Sequence, residues 1–162
     1  MKGSGMKIAL ASDHAGFELK EAIARHLAGR GIVFTDFGPA AGITVDYVDL
    51  ADAAVSSVVA GDHDRAILIC GTGMGMAIVA NKFRGIRATV CWNEFTADLS
   101  RRHNDSNCLT LGGRVLPVER GLHLVDIWLD TPFEGGRHAR RVDKIKAIED
   151  RFFRAPSSAQ RR

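Results

Sequence analysis

Five consecutive residues without a polar side chain, Ala66-Ile67-Leu68-Ile69-Cys70, run directly into a glycine-rich turn, Gly71-Thr72-Gly73-Met74-Gly75. The run is of strand length, and its lack of alternation marks a strand covered on both faces, as in the parallel sheets of α/β folds. Apolar runs of strand length also occupy residues 7–12, 32–37, 88–92 and 108–111. Helical patterns fall between and after them, over 17–28, 47–59, near 76–82, 95–103, 117–129 and roughly 142–154. In the first of these, Leu19, Ile23 and Leu27 recur at helical spacing before Gly29 and Gly31 stop the element. Strict alternation of strand and helix predicts an α/β fold: a three-layer, doubly wound (Rossmann-like) five-stranded parallel sheet in a single domain. The final helix has no strand after it, so it is free to pack outside the unit, for instance on a second subunit.

A chain of 162 residues suits one such domain. Residues 6–154 are expected to form it. Met1 to Gly5 reads as a leader, and 155–162 as a polar, flexible tail. No apolar run approaches the roughly 20 residues of a membrane span, and no signal-peptide core is present, so a cytoplasmic protein is expected. Three cysteines without CxxC spacing argue for reduced thiols and against a disulfide framework or zinc knuckle. The net charge of +3 is modest, and the basic residues gather in 137–146 rather than along one stripe. That distribution suits a small anion better than nucleic acid.

Open α/β sheets bind ligands beyond the carboxyl ends of their strands. The rule selects Asp13 and His14 after the first strand, Asp46 and Tyr47 after the second, Cys70 and its turn after the third, and Gly112, Gly113 and Arg114 after the fifth. Cys70 ends a buried strand and precedes a helix N-terminus, where free N–H groups favour an anion. A thiol there is expected to ionise near neutral pH. Glycines at 71, 73 and 75 clear side chains so that several N–H groups can reach one oxyanion, and Thr72 adds a hydroxyl. A small core residue ending a strand is the less favoured reading of Cys70 and the expected role of Cys91 and Cys108. The turn lacks the third glycine of a dinucleotide fingerprint, since Met76 stands there, and it is not a Walker A loop.

Two further groups stand out. Arg137 and Arg141, behind Gly135-Gly136, are four residues apart and would share a helical face able to grip a phosphate. His103-Asn104 ends the helix leading into strand five, which places it at the opposite edge of the sheet from Cys70 in the same chain. A catalytic His103 would therefore serve a neighbouring subunit, and a homodimer with composite sites is the resulting expectation.

Taken in order, these motifs resemble the type B ribose-5-phosphate isomerases, a family that also includes galactose-6-phosphate isomerases. The likeness covers residues 7–153. It rests on Ser12-Asp13-His14-Ala15-Gly16-Phe17, Asp46-Tyr47, Ile69 to Gly75, Ala80-Asn81-Lys82-Phe83, Gly85-Ile86-Arg87-Ala88, Ser100 to Asp105, and Gly135-Gly136-Arg137-His138 with Arg141-Val142. The resemblance implies a phosphosugar substrate, no metal, no cofactor, no nucleic acid or membrane partner, and a homodimer with sites shared between subunits. It implies interconversion of ribose 5-phosphate and ribulose 5-phosphate, an activity of the pentose phosphate pathway. Cys70 would move a proton between C2 and C1, with Thr72 and the backbone at Gly71, Gly73 and Gly75 holding the enediolate. His103 would open the furanose ring with Asp13 nearby, while His14, Arg114, Arg137 and Arg141 grip the phosphate and Asn104 contacts the sugar. Some members carry a carboxylate in place of the cysteine; with both Cys70 and Thr72 this chain resembles the cysteine type. Val48 departs from the family, where proline is common, and leaves substrate choice open. Allose 6-phosphate, galactose 6-phosphate or a tetrose phosphate are the alternatives, as is a non-catalytic phosphate-ligand binding domain.

Overall fold

The computed structural model describes residues 5–153. All of the leader but Gly5, and the whole tail 155–162, lie outside the described residues. The elements follow the expected alternation: β1 (Lys7–Ser12), α1 (Phe17–Gly29), β2 (Val33–Asp36), α2 (Tyr47–Val59), β3 (Arg65–Cys70), α3 (Met74–Ala80), β4 (Ala88–Val90), α4 (Glu94–Arg102), β5 (Cys108–Gly112), α5 (Val118–Asp130) and α6 (Arg137–Phe152). A single 3-10 turn, His14–Gly16, links β1 to α1.

The sheet has the order β2-β1-β3-β5-β4, and every neighbouring pair is parallel. Right-handed crossovers then dictate the layers. The chain moves one way from β1 to β2 and from β4 to β5, which sends α1 and α4 to one face. It moves the other way from β2 to β3 and from β3 to β4, which sends α2 and α3 to the opposite face. The two cores agree with this. Ile8, Leu10, Ile67, Ile69, Leu109 and Leu111 pack with Leu19, Ile23, Ala97, Leu124 and Trp128 on the α1–α4–α5 side. Ala9, Ala11, Ala66, Leu68 and Cys70 pack with Ala51, Ala54, Val55, Met76 and Ala77 on the other. Small residues on both partners let α2 lie close to the sheet. β3 is central and buried from Ala66 to Cys70, as the apolar run demands.

Two boundaries differ from expectation. α3 starts at Met74 rather than near Met76, because Gly73 takes a left-handed φ of 82° and turns the chain straight into the helix. It ends at Ala80, where the Asn81 side chain exchanges two hydrogen bonds with the backbone of Ala88. α6 starts at Arg137 rather than near Val142, so the basic run is its first two turns. The helix lies outside the sandwich, tied by Glu149 to the Gly85 N–H and by Asp150 to Arg84. Ile145, Ile148, Phe152 and Phe153 remain exposed along it.

Backbone passes backbone closely where β5 leaves the sheet. A Cβ at Gly113 would sit 2.5 Å from the Ala15 carbonyl oxygen and 2.9 Å from the Gly16 Cα. Neither atom can swing aside as a side chain would. Gly113→Ala should therefore destabilise the fold by about 1–3 kcal/mol in urea unfolding, the usual cost of forcing extra volume into a packed region.

Candidate active site

The carboxyl ends of β1, β3 and β5 form one half of a site. Asp13 leaves β1 and accepts hydrogen bonds from the N–H groups of Ala15 (2.9 Å) and Gly16 (3.1 Å), which fixes its carboxylate and turns His14 outward. Cys70 ends β3 opposite Gly112, nine-tenths buried, with the Gly73 N–H donating to its Sγ at 3.1 Å. The Gly113 and Arg114 N–H groups donate to the carbonyls of Cys70 and Gly71, stitching the two strand ends together. The Arg114 guanidinium lies beside Gly71, where a Cβ would stand 3.4 Å from Nη1. Asp46 caps α2 through the Val48 N–H at 3.0 Å, setting Tyr47 at the helix start. These residues come together as the strand-end rule expects.

The glycines of the turn do more specific work than general clearance. Gly73 supplies the left-handed φ, a Cβ there would stand only 3.0–3.2 Å from the Leu111 backbone, and its own N–H is committed to the Cys70 sulfur. Gly75 makes room for Tyr47: a Cβ there would meet the ring at 2.7 Å. Thr72 Oγ1 accepts from the Met74 N–H at 3.3 Å. Because α3 has only seven residues, individual N–H donors matter more here than a helix dipole. Gly75→Ala should displace the Tyr47 ring and raise KM for substrate several-fold while circular dichroism stays unchanged, since a part-exposed ring can move without unfolding the chain. A cavity of about 200 Å³ opens between His14, Phe17, Ile43 and Thr44, and another of about 160 Å³ between Thr72, Cys91, Trp92 and Val115. A wider groove of about 530 Å³ lies outside α4 and α5, lined by Glu94, Asp98, Asp126 and Asp130 with Arg102 and His123 among them, and by none of the residues around Cys70.

His103, Asn104, Arg137 and Arg141 form a second group at the other edge of the sheet. Ala66 pairs with Cys108 and Cys70 with Gly112, so the sulfur stands four residues above the level where β5 begins, about 13 Å at strand rise. His103 caps α4 five residues before that level. One chain therefore brings together Asp13, His14, Asp46, Tyr47, Cys70, Thr72 and Arg114, and separately His103, Asn104, Arg137 and Arg141, but not the two groups with each other. The turn carrying His103 is well anchored. Asp105 adopts a positive φ of 46° and is held by Arg87 and Arg101, each at 3.0 Å. Arg87 Nε also donates to the Asn104 carbonyl at 3.0 Å.

Two residues in this group are absent from the sequence-derived candidates. The His138 ring is buried and lies flat on His103, with centroids 4.0 Å apart and planes at 6°. Glu134 Oε2 stands 3.5 Å from His138 Nε2 and 3.9 Å from His103 Nε2. Burial, with His103 and Arg137 alongside and only Glu134 opposing, pushes the His138 imidazole below its ordinary value. The signals in the sequence are the four-residue spacing of Glu134 and His138 and the place of His138 in the Gly135-Gly136-Arg137-His138 motif. His103, Glu134 and His138 carry nitrogen and oxygen donors within 4.8 Å of one another. Flat stacking nevertheless keeps the two ring lone pairs from converging on one point, and Arg137 Nε already donates to His138 Nε2 at 3.3 Å. The geometry suits an aligned imidazole pair better than a metal ion.

The other thiols behave as core residues. Cys91 and Cys108 are buried, and burial pushes both up from the ordinary thiol range, with Thr89, Ser100 and Thr96 partly offsetting this at Cys91.

Comparison with known proteins identifies the family. The chain is 48% identical over 145 residues to ribose-5-phosphate isomerase B of Escherichia coli, covering 90% of this chain and 97% of that one. It is 39% identical over 145 residues to D-erythrulose-4-phosphate isomerase of Pectobacterium atrosepticum, covering 89% and 95%. The solved structure of ribose-5-phosphate isomerase B from Clostridium thermocellum superposes with a TM-score of 0.88 at 49% identity, covering 91% of this chain and 99% of that one. A family model described as Ribose/Galactose Isomerase matches residues 8–145, and the chain belongs to that family.

Proposed function

We propose that this protein is an aldose–ketose isomerase that interconverts ribose 5-phosphate and ribulose 5-phosphate in the cytoplasm, as a step of the pentose phosphate pathway. The observation that carries the reading is the Cys70 sulfur at the end of β3 with the Gly73 N–H aimed at it, in a turn that also holds Thr72 and has the Arg114 guanidinium beside Gly71. The Gly73 donor serves an anionic sulfur better than a neutral one. High identity over nearly the whole length of a named ribose-5-phosphate isomerase supports the substrate.

The reaction divides between the two groups of residues. In the ring-opening step His103 delivers a proton to the ring oxygen as its bond to C1 breaks. The C1 hydroxyl gives up its proton to water, leaving the C1 aldehyde and, with the proton from His103 on O4, a free C4 hydroxyl. Cys70 as thiolate then takes the C2 proton, and the pair of electrons moves into an enediolate. Thr72 and the backbone at Gly71 and Gly75 hold its oxygens, while the Gly73 N–H stays on the Cys70 sulfur. Return of the proton to C1, with the O2 proton passing to O1, gives the ketose. Asp13 lies near the ring, Asp46, Tyr47 and Asn104 contact the sugar, and His14, Arg114, Arg137 and Arg141 grip the phosphate. No step in this scheme calls on a metal or cofactor. Because the two groups sit at opposite edges of one chain, the working unit is a homodimer in which each site takes Cys70 from one subunit and His103 from the other.

A second reading has specific support. A relative that covers most of this chain is named for a four-carbon phosphosugar. The same thiolate chemistry on a tetrose phosphate would dispense with ring opening, because the only hydroxyl able to close a five-membered ring carries the phosphate. A panel of ribose 5-phosphate, allose 6-phosphate, galactose 6-phosphate and erythrose 4-phosphate, compared by kcat/KM, decides between them. Ribose 5-phosphate should lead, and activity should survive exhaustive chelation. A chelator-sensitive enzyme, or a tetrose phosphate in first place, would overturn the corresponding part of the proposal.

A further inference from the structure

The stacked pair at the end of α4 bears on how ring opening is made efficient, and its significance rests on the ring-opening role given to His103. That imidazole ends a helix and is one-third exposed, so nothing in its own element restrains rotation of the ring. Restraint comes from a segment far along the chain. The His138 ring covers one face of His103 at 4.0 Å with the planes 6° apart. His138 is fixed in turn, because it sits in the first turn of α6 with its N–H bonded to the Gly135 carbonyl and its Nε2 accepting from Arg137 Nε. Its Nδ1 is buried with no partner among the described residues, so the stack and the Arg137 contact are what hold the ring. Glu134 ties the two elements together. Its N–H donates to the Arg102 carbonyl at 3.1 Å, its carboxylate meets Arg102 at 3.3 Å, and its other oxygen faces both imidazoles.

The geometry points to His138 as a positioning residue that holds the His103 ring in the plane needed to protonate the sugar's ring oxygen. Through Nε2 it also sets that ring in register with Arg137, one of the residues gripping the phosphate. A ring face and a guanidinium partner are separate contributions, which makes them separable by substitution. His138→Ala removes both. His138→Phe restores the flat face but cannot accept from Arg137.

The substrates distinguish ring opening from the later proton transfer. Ribose 5-phosphate closes into a furanose through its C4 hydroxyl. Ribulose 5-phosphate stays open, because the hydroxyl that would close its ring carries the phosphate. Enzyme-catalysed entry of deuterium from D2O at C1 of ribulose 5-phosphate thus reports Cys70 chemistry without ring opening. Both readouts are to be taken on the full chain. His138→Ala should lower kcat for ribose 5-phosphate by about 10- to 100-fold, the scale expected when a reacting group is misplaced by around 1 Å, with deuterium entry essentially retained. His138→Phe should recover most of that kcat and show a raised KM in both readouts. Equal loss of both readouts in His138→Ala, no loss in either, or a phenylalanine variant no better than alanine would overturn the assignment. If the unaltered protein fails to isomerise ribose 5-phosphate at all, the underlying functional reading is what fails, and the inference with it.

Discussion

Cys70→Ala is expected to lower kcat for ribose 5-phosphate by about 10²–10⁴-fold, the range supplied by a positioned proton-transfer group, while the variant still binds the sugar phosphate. The expectation comes from where the sulfur sits. β3 is central, so its end is held by strands on both sides, and Cys70 pairs with Gly112, whose missing side chain lets the Thr72 backbone pack against the end of β5. The Gly73 N–H donates to it from the following turn, and the left-handed backbone at Gly73 is what brings that amide round. Removing the sulfur leaves the Asp13 turn, Arg114 and Tyr47 in place, so binding should persist. Deuterium entry at C1 of ribulose 5-phosphate should vanish together with isomerisation, unlike in the His138 variants. Chemical labelling gives an independent check. All three thiols are buried, but burial pushes Cys91 and Cys108 up from the ordinary thiol range whereas the Gly73 N–H donates to the Cys70 sulfur, so a small alkylating reagent at neutral pH should modify Cys70 first. Inactivation should track one equivalent of label and be slowed by substrate. A Cys70→Ala protein that retains isomerase activity would remove the thiol from the mechanism.

How much of the molecule is legible in its sequence depends on whether the signal is local. The Ala66–Cys70 run declares a doubly covered strand by itself, and the glycines after it declare a tight turn, so the centre of the sheet and one half of the site can be read directly. The start of α6 cannot. Its cap is Gly136 with a positive φ of 52° and no capping side chain, and only His138 and Val142 face inward along the basic turns. Nothing in Arg137 to Arg141 has the apolar periodicity by which helices are recognised. The burial of His138 is a property of the fold, because the surface that covers it belongs to His103, 35 positions earlier. A lone histidine in an arginine-rich stretch reads as solvated until that surface is in place. Gly75 carries a second demand that its own neighbourhood in the sequence does not reveal: its missing side chain suggests clearance for a ligand, and the space it leaves also takes the Tyr47 ring from another helix. The sheet order also lies beyond the sequence. Five strands joined by helices admit several orders, and the two reversals of direction found here are what put α1 and α4 on the face opposite α2 and α3.

Mixing Cys70→Ala and His103→Ala chains should restore about a quarter of wild-type activity, although each variant alone is inactive on ribose 5-phosphate. The figure comes from counting sites in a two-fold assembly. Random reassortment makes half of the dimers mixed. In a mixed dimer one site draws the altered residue from both subunits and the other draws the intact residue from both, so one site in two works. The geometry behind the count is the separation of the two edges of the sheet: Cys70 and the start of β5 stand four paired positions apart, and His103 lies further below. No side-chain rotation closes a gap of about 13 Å along a rigid parallel strand. A single chain that worked alone would have to unfold the α4–β5 turn, which Arg87 and Arg101 clamp through Asp105. The two readouts sharpen the test. His103→Ala alone should keep deuterium entry at C1 of ribulose 5-phosphate, since that reaction needs Cys70 and not ring opening, and Cys70→Ala alone should lose it. Regain of ribose 5-phosphate turnover on mixing, after brief denaturation and refolding to exchange subunits, then requires both residues to meet across an interface. If refolded mixtures stay as inactive as their components while wild-type chains put through the same cycle recover, the site is contained in one chain, and His103 has a different role.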